Sequence, residues 1–352
     1  MRCGDEVVKS SGPVHRSMVF CSADIIAAIM PHTPPSFKSS FIPHPLSPTS
    51  RIHLVTCDPP ASQSSTALLL VHGLGSSASF WLPTLSTAQG RTITSERQVY
   101  AIDAYGHGVS DFVPTEDSLD RAAETIVGVI EHLLRESGKD KIILAGHSMS
   151  GVSSPASFST MLSKVVPQLV TSLVAARRPD LIAKLCTPLI LPAFRFTNPL
   201  PVLLSPTLSL PSANRESLRT RSQTVTTPQG HLDISSLVST TGISPSTHAT
   251  NPFAASFIKH LILTTKPSSY AQACTNLAAH PGWDADVGNL RCEVFILSGG
   301  EDYMVSVTEV QKRAAQVPGD RGKFAIMQDV GHWGGLEVPE KVAEALVEFI
   351  KE

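Results

Sequence analysis

Short, uninterrupted apolar runs recur along the chain, and each closes on a residue that turns the backbone or titrates. TALLLVHG (66–73), QVYAIDA (98–104), KIILAGHS (141–148), CEVFILSGG (292–300) and KFAIMQDVGH (323–332) share this form. Runs this short, bounded by Gly, Asp or His, predict strands buried on both faces of a parallel sheet. RIHLVTC (51–57) alternates apolar and polar residues, as a half-buried strand does. Between the runs, 118–137 (SLDRAAETIVGVIEHLLRES) and 339–352 (PEKVAEALVEFIKE) repeat apolar residues at three-to-four spacing, which predicts amphipathic helices. The alternation implies an α/β fold, a mostly parallel central sheet with helices on both faces. Ligands of such sheets bind beyond the carboxyl ends of the strands, where the chemically capable residues of this chain fall.

Two stretches break the alternation. From about 205 to 288 the chain reads as helices joined by Pro and Gly turns, with no strong strand signal. A helical lid inserted between two sheet strands accounts for it, and lids shape pockets and exclude water. The core then divides into 51–204 and 289–352. Residues 1–50 are rich in Ser, Pro and His with little apolar periodicity, so they are expected to be disordered and lie outside the fold.

Composition narrows the partner. Charged residues make up 16% of the chain, hydrophobic ones 42%, and the formal net charge is -2. That balance points away from nucleic acid and toward a small molecule. Six dispersed cysteines without a C-x-x-C pair argue against a zinc site and a dense disulfide framework, and favour a reducing, cytoplasmic compartment. The apolar run 18–30 is interrupted by Asp24 and is too short to span a bilayer.

Ser148 stands between the strand KIILAG and an expected helix, flanked by Gly146 and Gly151, with Ser150 where a second glycine is usual. Small neighbours let the backbone turn sharply enough to lift a serine oxygen above a sheet. A serine hydroxyl needs a base; His332, after the last expected strand, is the candidate. The base needs an orienting carboxylate; Asp302 is favoured over its neighbour Glu301, because only one of two adjacent side chains in a tight turn can face the histidine. A developing oxyanion needs preset donors, each contributing about 2.7–4 kcal/mol. The backbone amides of Leu74, in VHGLG, and Met149, after the serine, are candidates, while His72 reads as structural.

Taken together, HGLG (72–75), DAYGHGVSD (103–111), GHSMSG (146–151), GGED (299–302) and GHW (331–333) resemble the α/β-hydrolase superfamily, with the nearest likeness to 3-oxoadipate enol-lactonases and carboxylesterase-like members that carry lids. The resemblance covers 51–150 and 290–352 well and the lid loosely. It implies a Ser148, Asp302, His332 triad with Leu74 and Met149 as oxyanion donors, no metal or organic cofactor, and a small ester or lactone as substrate. Alternatives are a carbon–carbon bond hydrolase or peptidase on the same triad, and a non-catalytic ligand-binding protein or inactive product of retained introns. A serine nucleophile disfavours epoxide hydrolases and haloalkane dehalogenases, whose ester intermediate needs a carboxylate. Asp103 and His107 sit in a loop that is structural in the family.

Two segments depart from that pattern. VSSPASFSTMLSKVVPQ (152–168) follows the nucleophile and places Pro155 where a supporting helix should run, at a cost of about 3 kcal/mol to an interior turn. CTPLILPAFRFTNPLP (186–201) interrupts the next strand; without it, AKL joins VLLSP as a clean strand. Val-Ser can be encoded GTAAGC, Pro-Gln can end in CAG, and Phe-Thr-Asn can contain ACTAAC, so both segments are read as retained introns, the alternative being genuine surface insertions, which loops tolerate well.

Overall fold

The computed structural model describes residues 35–59, 64–112, 119–151, 182–185, 202–204, 212–279 and 294–350. A mixed sheet forms the core. Its strands are β1 Phe37–His44, β2 Ser47–Cys57, β3 Thr66–Val71, β4 Val99–Ile102, β5 Lys141–His147, β6 Ile182–Leu185, β7 Val202–Leu204, β8 Val294–Gly299 and β9 Gly322–Met327. β1–β2 and β2–β4 pair antiparallel. Every pairing from β4 to β9 is parallel. All residues of β3, β4 and β8 are buried. Since successive side chains of a strand point to opposite faces, full burial requires cover on both.

The first strand corrects the expectation that residues up to 50 lie outside the fold. FKSSFIPH pairs residue by residue with β2, Phe37 opposite Cys57 through Pro43 opposite Arg51. β1 has a single partner strand, and only Ile42 and His44 in it are buried. An edge strand of this kind needs few apolar residues and tolerates proline, so its polar composition hid it. Residues 1–34 lie outside the described residues.

β6 and β7 together occupy one position in the sheet. On β5, Leu144 pairs with Leu185 and the next residue, Ala145, pairs with Val202. On β8, Val294 pairs with Leu185 and Phe295 with Val202. Both neighbouring strands thus treat Leu185 and Val202 as successive residues, although 186–201 lie between them in the chain. This is the strand read from AKL and VLLSP. The segments 152–168 and 186–201 themselves lie outside the described residues.

Two helices, α1 Leu82–Ser86 and α2 Ala88–Glu96, follow β3. The expected amphipathic helix 118–137 is α3, Leu119–Ser137, which buries Ala123, Ile126, Val129, Ile130 and Leu133. The stretch expected to be helical holds α4 Ser212–Thr224, α5 Gly230–Thr241, α6 Pro245–Thr250, α7 Pro252–Thr264 and α8 Pro267–Ala279. Local signals set their starts. Ser244 and Asn251 cap α6 and α7 with side-chain oxygens, each followed by proline in the first turn. α4 packs on α8 and α5 on α7. After β8 come α9 Val307–Gln316, α10 Gly334–Glu337 and α11 Pro339–Ile350, the last packed on α2. Among the described residues no helix is long and apolar enough to cross a membrane.

Candidate active site

The site is assembled at the carboxyl ends of β3, β5, β8 and β9. β5 ends at His147, and Ser148 opens a single 3-10 turn, Ser148–Gly151, with φ of 52°. A non-glycine residue at positive φ is strained, and here the strain raises the hydroxyl out of the sheet. Gly73 permits the tight approach of the β3 loop: a Cβ there would stand 2.8 Å from Ser148 Cβ and 2.9 Å from His147 Nδ1. Ser150 does not prevent the turn.

Three side chains from distant parts of the chain meet here. Ser148 Oγ lies 2.7 Å from His332 Nε2. His332 Nδ1 lies 3.0 Å from each carboxylate oxygen of Asp302. If Nδ1 donates to Asp302, Nε2 is left as the acceptor for the serine hydroxyl. Asp302 Oδ1 also accepts from the Met304 amide at 2.8 Å, which fixes the carboxylate. All three residues are buried. Glu301 is exposed to solvent, so the structure brings together Asp302 and leaves its neighbour out.

The surrounding histidines hold loops. His72 donates from Nδ1 to the Gly73 carbonyl and accepts at Nε2 from the Ala104 amide, tying the β3 loop to the β4 loop. Burial holds it below the usual histidine range, as it does His147, whose Nε2 donates to the His332 carbonyl at 3.0 Å. His107 is lowered by burial to about 3. Asp103 accepts from the Ala78 and Val109 amides and from His53 Nδ1. Burial alone would raise its carboxyl, but these bonds hold it below the usual range. None of these groups faces Ser148 as a base. Leu74 and Met149 lie in the turns beside Ser148, and among the described residues the Leu74 amide finds no backbone acceptor.

Glu337, on α10, escaped the reading of the sequence. Its Oε2 accepts from the amides of Gly331 and Ser244 at 2.9 Å and from Thr247 Oγ1 at 2.8 Å, and its Oε1 accepts from the Trp333 amide at 3.0 Å. The carboxylate therefore grips the backbone on both sides of His332 and joins it to the α5–α6 junction. The His332 amide donates to Gly242 at that junction as well. The signal was present as a Glu five residues after the histidine, but spacing alone says nothing of its four partners. An apolar cavity of about 40 Å³ lies behind Met149, between Val71, Ile102 and Ile126.

The model for the Alpha/beta hydrolase family matches residues 68–345. The chain belongs to that family. Among curated relatives, this hydrolase is 23% identical over 286 residues to (E)-2-((N-methylformamido)methylene)succinate hydrolase of Acinetobacter baylyi, covering 81% of this chain and 90% of the relative. It is 34% identical over 111 residues to the dihydrolipoyllysine-residue acetyltransferase component of the acetoin cleaving system of Pseudomonas putida, a match that spans 32% of this chain and 26% of that protein. Among solved structures it resembles the enol-lactonase from Burkholderia xenovorans LB400, with a TM-score of 0.66 at 17% identity over 86% of this chain and 98% of the other. A thermophilic esterase from Thermogutta terrifontis gives 0.65 at 21% identity, over 87% of this hydrolase and 96% of that chain. At these identities the structural likeness speaks for the fold.

Proposed function

We propose that this protein hydrolyses a small ester or lactone through an acyl-serine intermediate. The observation that carries the reading is the buried relay of Ser148, His332 and Asp302, closed by contacts of 2.7 and 3.0 Å. Ser148 Oγ attacks the carbonyl carbon while His332 Nε2 takes its proton, and Asp302 stabilises the resulting imidazolium. The Leu74 and Met149 amides receive the negative charge that develops on the carbonyl oxygen. His332 returns the proton to the departing oxygen, the acyl-serine forms, and water activated by the same nitrogen releases the acid. Residues 205–288 act as the lid, and no metal or organic cofactor takes part. Cys57 and Cys274 are free thiols, which suits a cytoplasmic location.

A second reading, hydrolysis of another bond by the same triad, is favoured by the likeness to the A. baylyi succinate-derivative hydrolase. A fluorophosphonate probe tests the shared mechanism. Labelling of the wild type and its loss in Ser148→Ala is the expected result; folded wild-type protein that resists the probe rejects both readings. A panel of short acyl esters and lactones, with that relative's named substrate beside them, then separates the two.

A further inference from the structure

The three arginines of α4 meet different fates. Arg219 pairs with Glu216 at 3.0 Å, and Arg215 donates to the Ala278 carbonyl at 3.0 Å. Arg221 turns toward α8 and the Asp302 loop, where its neighbours are the phenols of Tyr270 and Tyr303 and the thiol of Cys274. Its Nε is buried and has no hydrogen-bond partner. Among the described residues no carboxylate lies within 4 Å of the guanidinium. Its neighbours favour the cation by hydrogen bonding from the guanidinium to the phenol oxygens, yet they bring no full negative charge. Burial pushes the Tyr270 phenol well above its ordinary range and the Cys274 thiol to about 12, so both stay protonated. A half-buried cation with a buried, unpartnered Nε and no carboxylate beside it is costly, and proteins rarely leave one so.

The place of this cation matters. Tyr303 directly follows Asp302, and its ring stands edge-on to the His332 ring with centroids 5.8 Å apart. Tyr303 is 39% exposed. On the other side, the Tyr270 ring lies against the β3 loop: a Cβ at Gly75, next to Leu74, would come within 2.6 Å of it. Arg221 is thus set between two rings, one touching the base and the other the proposed oxyanion loop.

We propose that Arg221, with the hydroxyls of Tyr270 and Tyr303, is an anion subsite that takes a carboxylate of the substrate, so that the preferred ester or lactone carries a second, ionised carboxyl group near the bond that Ser148 attacks. This deepens the ester-or-lactone reading and rests on it. The planar guanidinium offers parallel N–H donors that match a carboxylate. One positive charge balances one carboxylate, whereas a phosphate monoester would bring about −1.5 to −2 and leave the excess uncompensated.

Ethyl butyrate and monoethyl succinate, which differ by a methyl group against a carboxylate, test the subsite. The wild type is expected to favour monoethyl succinate at least tenfold in kcat/KM. In Arg221→Gln that ratio falls toward one, mainly through KM, and Arg221→Lys restores part of it. Binding is read separately by calorimetry of succinate on Ser148→Ala, where Arg221→Gln should weaken affinity at least tenfold. A wild type that hydrolyses both esters equally keeps the hydrolase reading and overturns the subsite. Succinate binding that depends on Arg221, in a protein that cleaves no ester, keeps the subsite and overturns the ester reading. Should Arg221→Gln fail to fold, the wild-type ester ratio and succinate binding to Ser148→Ala decide, and absence of either overturns the proposal.

Discussion

Excising residues 186–201, so that Leu185 joins Val202 directly, should stabilise the protein. Leu185 and Val202 occupy successive registers on both β5 and β8, and successive Cα atoms across one trans peptide are about 3.8 Å apart, so the join asks no neighbour to move. In the intact chain the sheet closes the ends of a sixteen-residue segment onto successive positions. With the loop term (3/2)RT ln n, that closure costs about 2.5 kcal/mol. At a urea slope of about 3 kcal/mol/M, the midpoint should rise by roughly 0.8 M. Trp81 and Trp333, both buried, report the transition by fluorescence. The benefit should reach the nucleophile, because Leu204 pairs with His147, the residue before Ser148. Faster fluorophosphonate labelling of the excised chain is therefore expected. A midpoint that falls or stays put refutes the single-strand argument. We further propose that 152–168 and 186–201 are retained introns; transcripts that always include both would refute that origin.

Asp302→Asn should leave the fold intact but lower kcat by about 10⁴, because an amide favours the wrong histidine tautomer; full activity in this variant would remove Asp302 from the relay. Glu337→Gln offers one acceptor oxygen where two now serve four donors. With about 1–3 kcal/mol for each donor left unsatisfied, kcat should drop tenfold to a hundredfold while KM holds, and an unchanged kcat would show that His332 keeps its place without this clamp. Stability should fall with acid. His72, His107 and His147 are held by burial below the ordinary histidine value of 6.5, so the unfolded chain binds more protons than the folded one below that pH. Their contribution is complete above about pH 6.5 and is lost as pH falls, for His107 until about 3, with a slope of up to about 1.4 kcal/mol per pH unit for each group. Urea midpoints between pH 8 and 5 measure this, and a flat profile would contradict the buried neutral state.

Much of the candidate site was legible along the chain because its chemistry sits on local signals. A strand of apolar residues, a turn of small ones and a functional side chain occur within a few positions, at Gly73, Ser148, Asp302 and His332. Backbone sterics act over that range, so the pattern needs no knowledge of the rest of the fold. β1 was missed for the complementary reason: an edge strand is specified by its partner's hydrogen bonds, and Phe37, Phe41 and Ile42 in FKSSFIPH do not form the continuous apolar run that marks a buried strand. The choice of Asp302 over Glu301 rested on a turn argument, and the structure sets one side chain against His332 and leaves the other in solvent.

By itself, the sequence determined the alternation of strands and helices, the helical character of the stretch from about 205 to 288, of which 212–279 are described, and the candidates for nucleophile, base and orienting carboxylate. Tertiary structure alone decided that Glu337 clamps the base loop to α6, and that Arg221 stands beside Tyr303 with no carboxylate within 4 Å among the described residues. Each of these joins residues far apart in the chain, as Thr247 and Glu337 are, separated by 90 positions. Such contacts depend on how the elements pack, and no local periodicity encodes them.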